Sequence, residues 1–147
     1  MGRVEEINIG PFGEMPAPVQ TVEAHAGKGL AGNRYYFDDG AEPGRALTLI
    51  AAEALEGLAA DHGIELNAAE TRRNVLTRGI DLNALVGKRF RVGDVECEGV
   101  ELCEPCTSLE AMTQPGVIKG LVHRGGLNAD ILTDGVISVG DEVVESA

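Results

Sequence analysis

The chain has 147 residues, 44% of them hydrophobic, and 12 basic against 24 acidic side chains give a formal net charge of −12. That length and apolar content suit one domain with its own core, taken as residues 1–147. The acidity argues against a broad nucleic-acid surface, which needs clustered Lys and Arg, and no apolar run is long enough to span a bilayer. The N-terminus has no secretory core, and three cysteines are too few for a disulfide framework, so a cytoplasmic protein with reduced thiols is expected. With no Trp and 3% aromatic residues, the core must be mostly aliphatic.

Val4 to Ile9 reads as a strand, followed by a Gly/Pro-rich loop through Pro18 and a second strand from Val19 to Ala24. Gly27 to Arg34 is a glycine-rich loop ending on a basic residue, and Arg45 precedes a short β run, Leu47 to Ile50. Ala51 to Asp61 is rich in Ala, Leu and Glu and predicts a helix, with Gly63 placed to end it. Asn67 with Glu70 three residues on predicts a capping box on a short helix, which runs into Arg72-Arg73-Asn74 and a β-like Val75 to Thr77.

From Lys88 the pattern is β: Phe90 and Val92 alternate with charge, Gly93-Asp94 marks a turn, and Val95 and Cys97 alternate again. Val100 and Leu102 then fall on the opposite count, which predicts a β-bulge near Gly99. Pro105 ends the strand and leaves Cys103 as its last residue. Thr107 with Glu110 reads as a capping box with Thr107 as N-cap. Val117, Ile118, Leu121 and Val122 share a helical face that Gly125-Gly126 stops. The tail predicts a hairpin, Leu127 to Leu132 and Val136 to Val139 about a turn at Asp134-Gly135, with a last strand through Val143-Val144. The fold class is mainly β with a few short helices (α+β).

Cys103-Glu104-Pro105-Cys106 holds two of the three cysteines. Placed just before a helix N-cap, Cys106 lies near a terminus carrying roughly +0.5 of an elementary charge, which favours a thiolate. Cys97 fits a buried, inert thiol. A thioredoxin-like redox pair needs a βαβ setting that this stretch lacks. A structural zinc would need two more ligands from Cys97, His25, His62 and His123, none of which forms a second close pair.

Several basic residues fall in Gly- or Asn-containing segments: Arg34, Arg45, Arg72-Arg73 before Asn74, and His123-Arg124 before a Gly pair. Arginine forks match phosphate and other oxyanions, and glycine lets backbone N–H groups approach. The alternative is that each Arg pairs with one of the acidic groups. Both readings stay open here.

In order, Gly29-Leu-Ala-Gly-Asn-Arg34-Tyr35, Arg45-Ala-Leu-Thr-Leu-Ile50, Arg72-Arg-Asn-Val-Leu, Leu85-Val-Gly-Lys-Arg-Phe, Cys103-Glu-Pro-Cys106, His123-Arg-Gly-Gly126 and Gly135-Val-Ile-Ser-Val-Gly-Asp141 resemble the MOSC family, the domain named for the C-terminal region of molybdenum-cofactor sulfurases. The chain is similar to a small stand-alone member. The resemblance implies a closed β-barrel-like fold and either binding of a molybdenum cofactor (molybdopterin), with an oxidoreductase activity, or handling of its sulfur.

It further implies Cys106 as molybdenum ligand or sulfur acceptor, with Cys103 as helper. Arg34, Arg45, Arg72, Arg73, Asn74, His123 and Arg124 would hold the anionic pterin cofactor or orient the loops around it. A cysteine desulfurase or an oxidoreductase would be the partner, with a homodimer possible on the acidic surface. The chain departs from the family at Asn33, where many members have Asp. Pyridoxal phosphate, also associated with the family, is not supported: Lys28, Lys88 and Lys119 lack a flanking motif for it.

Overall fold

The computed structural model describes residues 2–146. In those residues the strands are β1 (Gly2–Ile9), β2 (Ala17–Val19), β3 (Thr21–His25), β4 (Gly29–Leu30), β5 (Leu47–Ala51), β6 (Val75–Arg78), β7 (Arg89–Val92), β8 (Val95–Leu102), β9 (Leu127–Ile131), β10 (Gly135–Ser138) and β11 (Glu142–Glu145). The helices are α1 (Ala52–His62), α2 (Thr107–Met112) and α3 (Val117–Leu121).

The main sheet closes on itself. Its order β11-β7-β8-β9-β5-β6-β1 is completed by a β11–β1 pairing, giving a seven-stranded barrel with β2 added at the far end of β1. Closure removes the open edges that an aliphatic sheet of this size would otherwise present for aggregation. The one parallel neighbour pair is β5–β6, and α1 lies in the crossover that such a pair requires. A separate sheet, β10-β3-β4, contributes Val22, Ala24, Leu30 and Ile137 to the same core as barrel residues Val4, Ile7, Leu49, Phe90, Val95 and Val143. The mainly β class and the barrel expected from the sequence are both present.

The local expectations meet mixed outcomes. The helix at Ala52–His62 is capped by Gly63 in the left-handed conformation (φ 66°), which glycine adopts without steric cost. Asn67 and Glu70 exchange side chain-to-backbone hydrogen bonds at 3.0 and 2.9 Å, the reciprocal capping box. The bulge falls between Gly99 and Glu101 in the β8–β9 register. A Cβ at Gly99 would collide with the Leu85 carbonyl oxygen, so the bulge sits where only glycine fits.

The tail is not a hairpin: β9 pairs with β8 and β5, whereas β10 pairs with β3 in the other sheet. Asp134 accepts a hydrogen bond from the Ala26 N–H instead of turning one strand back on its neighbour. Gln20 splits the expected Val19–Ala24 strand, because its two parts join different sheets. Helix α3 stops at Leu121, short of the glycine pair, and Val122 is 49% exposed rather than packed with Val117 and Leu121.

Helices α1, α2 and α3 share a second core of Ala54, Leu58, Ile64, Leu109, Val117 and Leu121. This cluster fixes α2, and with it the residue that starts α2, relative to the barrel.

Candidate functional site

The stretch around the cysteines folds differently from its sequence reading. Strand β8 ends at Leu102, so Cys103 lies one residue beyond it, although its N–H still donates to the Gly126 carbonyl at 2.8 Å. The N-cap of α2 is Cys106 itself, in extended conformation, with its carbonyl accepting the Glu110 N–H at 3.1 Å. Thr107 is the first helical residue and caps nothing. Glu110 reaches forward: its Oε1 accepts the N–H groups of Gly116 and Ile118 at 3.0 and 3.1 Å, and so caps α3. With only six residues, α2 contributes little dipole to the thiol before it.

Cys103 and Cys106 line one cavity of about 500 Å³ together with Arg34, Arg45, Arg72 and Arg73. Its wall also holds Phe12, Tyr35, Thr48, Ser108, Leu109 and Asn128. Strand β5, the segment before β6, and the loop after β4 bring these residues together across the barrel. Cys106 is exposed, Cys103 half-buried and Cys97 buried in the core. Burial is the main cause that pushes the Cys103 thiol up; Arg73 and then Arg45 pull it down, against the neighbouring Cys106 and Glu101. Burial drives the Cys97 thiol up to about 12, with Glu96 adding to it, so Cys97 is inert. Among the described residues no group of three or more His, Cys, Asp or Glu side chains is placed to hold a metal, which leaves the zinc reading without a site.

The arginines of this cavity are not consumed by acids. Among the described residues, no carboxylate lies within 4.0 Å of Arg34, Arg72 or Arg73; Arg45 alone has a partner, Glu42, in an exposed contact at 3.7 Å. The guanidinium of Arg34 donates to the Arg72 carbonyl at 3.4 Å, and that of Arg72 to the Glu14 carbonyl at 3.2 Å. The Arg72 Nε is buried without any partner. Arg72 is also left-handed (φ 66°), a conformation uncommon outside glycine. Such strain tends to gather where function over-determines the backbone.

Other candidates lie elsewhere. Asn74, 4% exposed, ties β6 to its neighbours: its Oδ1 accepts from the Thr48 N–H and Oγ1 at 3.1 and 3.0 Å, and its Nδ2 donates to the Asn8 carbonyl. It therefore shapes the barrel mouth and does not face the cavity. His123 and Arg124 line a second cavity of about 460 Å³ with Glu53, Asp81 and Asn83. The Arg124 guanidinium donates to the Gly120 carbonyl at 3.2 Å and packs over Gly57, where a Cβ would meet its Nη1 at 2.8 Å. Asn33, the departure from the family pattern, is buried, and its Oδ1 accepts the Gly10 N–H at 3.4 Å. The residue anchors the loop and leaves the Arg34 guanidinium to Arg72.

Sequence reasoning passed over Phe12 as a wall of the site and gave Tyr35 no role. The Arg34 and Arg45 guanidinium carbons sit 5.2 and 5.3 Å from the Tyr35 ring centroid, and Phe12 meets that ring edge-on at 5.5 Å. The signal was available: four of the five aromatic residues, Phe12, Tyr35, Tyr36 and Phe37, fall in loop segments, leaving Phe90 alone for the core.

The structure is thus a closed β-barrel domain with a cysteine at a helix start beside an arginine-lined cavity. The MOSC domain family matches residues 23–144, most of the chain, and the protein belongs to that family, which is associated with the molybdenum cofactor. Among solved structures the fold is similar to YuaD protein from Bacillus subtilis (TM-score 0.84, 17% identity, 100% of this chain and 97% of that one). It is also similar to YiiM from Geobacillus stearothermophilus (0.78, 17%, 100% and 76%) and YiiM from Escherichia coli (0.71, 16%, 99% and 70%). No curated protein sequence matches the chain. No helix of the described residues is long and apolar enough to cross a membrane.

Proposed function

We propose that the cysteine cavity binds a molybdenum cofactor through its pterin phosphate, with the Cys106 thiolate as protein ligand to the metal. The observation that carries this reading is a set of three guanidiniums, those of Arg34, Arg72 and Arg73, without carboxylate partners in one cavity with an exposed cysteine. The residues fit the group. The buried, unpartnered Arg72 Nε is a donor awaiting an acceptor, and a soft thiolate suits molybdenum. A volume of about 500 Å³ is within the usual range for cofactor pockets.

When bound, the cofactor supplies a redox-active metal centre. This chain's own residues would bind and orient it. Arg34 and Arg72 offer forks to the phosphate, Tyr35 holds Arg34 and Arg45 in place through its ring face, and buried Leu109 excludes water from the inner wall. An oxidoreductase working in the cytoplasm is the activity this arrangement suits.

Expression in a cofactor-competent host with added molybdate tests the reading. Molybdenum and pterin fluorescence should co-purify with wild type, and the metal should be lost in Cys106→Ser. A metal-free wild-type protein would sink the reading.

A second reading is favoured by one observation, that Cys103 lines the same cavity as Cys106. In it the Cys106 thiolate attacks the outer sulfur of a desulfurase persulfide, and the donor's S–S bond breaks to release the donor thiolate. Cys103 then attacks the Cys106 persulfide, forming a Cys103–Cys106 disulfide and releasing hydrosulfide to an acceptor; a cellular dithiol restores the pair. Mass spectrometry after incubation with a cysteine desulfurase and cysteine should then find one extra sulfur on Cys106. Its absence from Cys106 counts against this reading.

A further inference from the structure

Arg73 poses a problem of charge. It is 8% exposed, yet none of the chain's 24 acidic side chains lies within 4.0 Å of it among the described residues. Its hydrogens go to backbone carbonyls: Nε to Gly125 at 2.7 Å, Nη1 to Thr71 at 3.0 Å, and Nη2 to Cys103 at 2.7 Å and Glu104 at 3.4 Å. Carbonyl oxygens satisfy the hydrogen bonds of a buried guanidinium but leave its charge uncompensated, which costs stability unless something else profits from it. Two of those four carbonyls belong to the loop that delivers Cys106.

The same loop is held from its other side. The Glu104 carboxylate accepts the His123 backbone N–H at 2.7 Å and lies 2.7 Å from His123 Nδ1. That grip holds His123 in a left-handed backbone (φ 59°); among the described residues the other non-glycine in this conformation is Arg72, next to Arg73. Between the two grips, the Cys103 N–H is bonded to Gly126. A Cβ at Gly125 would collide with the Cys103 carbonyl oxygen, so that position must be glycine for the loop to lie this close.

We propose that Arg73, with Glu104 and His123, forms a two-sided clamp on the Cys103–Cys106 loop, and that Arg73 is a positioning residue that holds the loop through its backbone carbonyls. Arg73 thus does not serve as a phosphate fork; most of its donors are already committed to carbonyls. The inference rests on Cys106 being the functional thiol of the site, but its test reads the loop directly and needs no cofactor.

The test follows amide exchange at position 103, with the β5 amides as an internal reference that the clamp does not touch. Arg73→Met should speed exchange of the Cys103 N–H by about tenfold and leave β5 unchanged. Arg73→Lys should not restore the slow exchange, because a single ammonium cannot span the carbonyls Arg73 joins. Glu104→Ala removes the exposed half of the clamp. It should also speed exchange at Cys103, whose own bond to Gly126 the substitution does not touch.

Unchanged Cys103 exchange in both Arg73→Lys and Glu104→Ala overturns the clamp, and these two variants decide it even where Arg73→Met fails to fold. A protein that passes these tests yet binds no molybdenum would refute the cofactor reading alone.

Discussion

Two cavities of nearly equal size can be compared, about 500 Å³ around Cys103 and Cys106 and about 460 Å³ beside His123. Size does not separate them; the number of guanidiniums without a carboxylate partner does. In the His123 cavity, Glu53 accepts the Gly79 N–H at 2.8 Å, Asp81 caps the Asn83 N–H at 3.1 Å, Asn83 donates to the His123 carbonyl, and Arg124 is turned to Gly120. Glu53 and Asn83 hold separate segments together, Asp81 and Arg124 bond within their own, and Arg124 is the single arginine lining this cavity. In the cysteine cavity three guanidiniums keep their charge, one buried Nε keeps its hydrogen, and a thiol faces solvent. A pocket whose polar groups are already satisfied holds a fold together, whereas one whose groups await an anion is shaped for a ligand.

Charge reversal on the two sides is the strongest way to break that contrast. Arg34→Glu should reduce pterin co-purification by about tenfold to a hundredfold, since a hydrogen bond to a charged group contributes about 1.5–3 kcal/mol. Arg124→Glu, on the His123 side, should leave it unchanged. Equal losses in the two variants, measured by pterin fluorescence per mole of protein, would erase the distinction drawn here.

The same contrast explains what the sequence could and could not reveal. Many of the strands were legible because β patterning is local: Phe90, Val92, Val95 and Cys97 alternate as their strands require, and the slip at Gly99 is a real bulge; the closed barrel came only with the family resemblance. The strand partners were not, because a turn signal such as Asp134-Gly135 says nothing about which sheet the next strand joins. Most of the arginines were legible as a set, and Arg34, Arg45, Arg72 and Arg73 line one cavity. Their division of labour was not, since whether a guanidinium faces a cavity, as at Arg34, or three loop segments, as at Arg73, depends on contacts 30 and 52 residues away. Asn74 shows the same limit: next to two site arginines in sequence, it points into a hydrogen-bond network with Thr48.

The three thiols sharpen the comparison from another direction. At pH 8 a disulfide-exchange reagent should modify Cys106 first and Cys103 at least about tenfold more slowly, because burial raises the Cys103 thiol and limits access to it. Cys97, with its thiol at about 12, should react only on unfolding, since roughly one part in ten thousand would be thiolate at that pH. Peptide mapping of the modified sites against time checks the order. Fast modification of Cys103 would mean that the loop is open and that the clamp described above does not hold it.

The smallest expected effect lies at the Glu104–His123 pair. The Glu104 carboxyl is held below the usual carboxylate range chiefly by the His123 backbone N–H; burial opposes this, and the His123 side chain adds a smaller lowering. A lowered folded value means that the carboxylate's contribution is fully present above the ordinary glutamate value of about 4.3 and is lost as pH falls through the folded value. Acidification below about pH 4 should therefore release Glu104 from His123 before the barrel melts, because the barrel's closure rests on backbone ladders and aliphatic packing that do not titrate. The His123 amide resonance should shift in that range in wild type and stay put in Glu104→Gln. If the two titrate alike, the loop answers to some other acid, and the Glu104–His123 pair does not hold it.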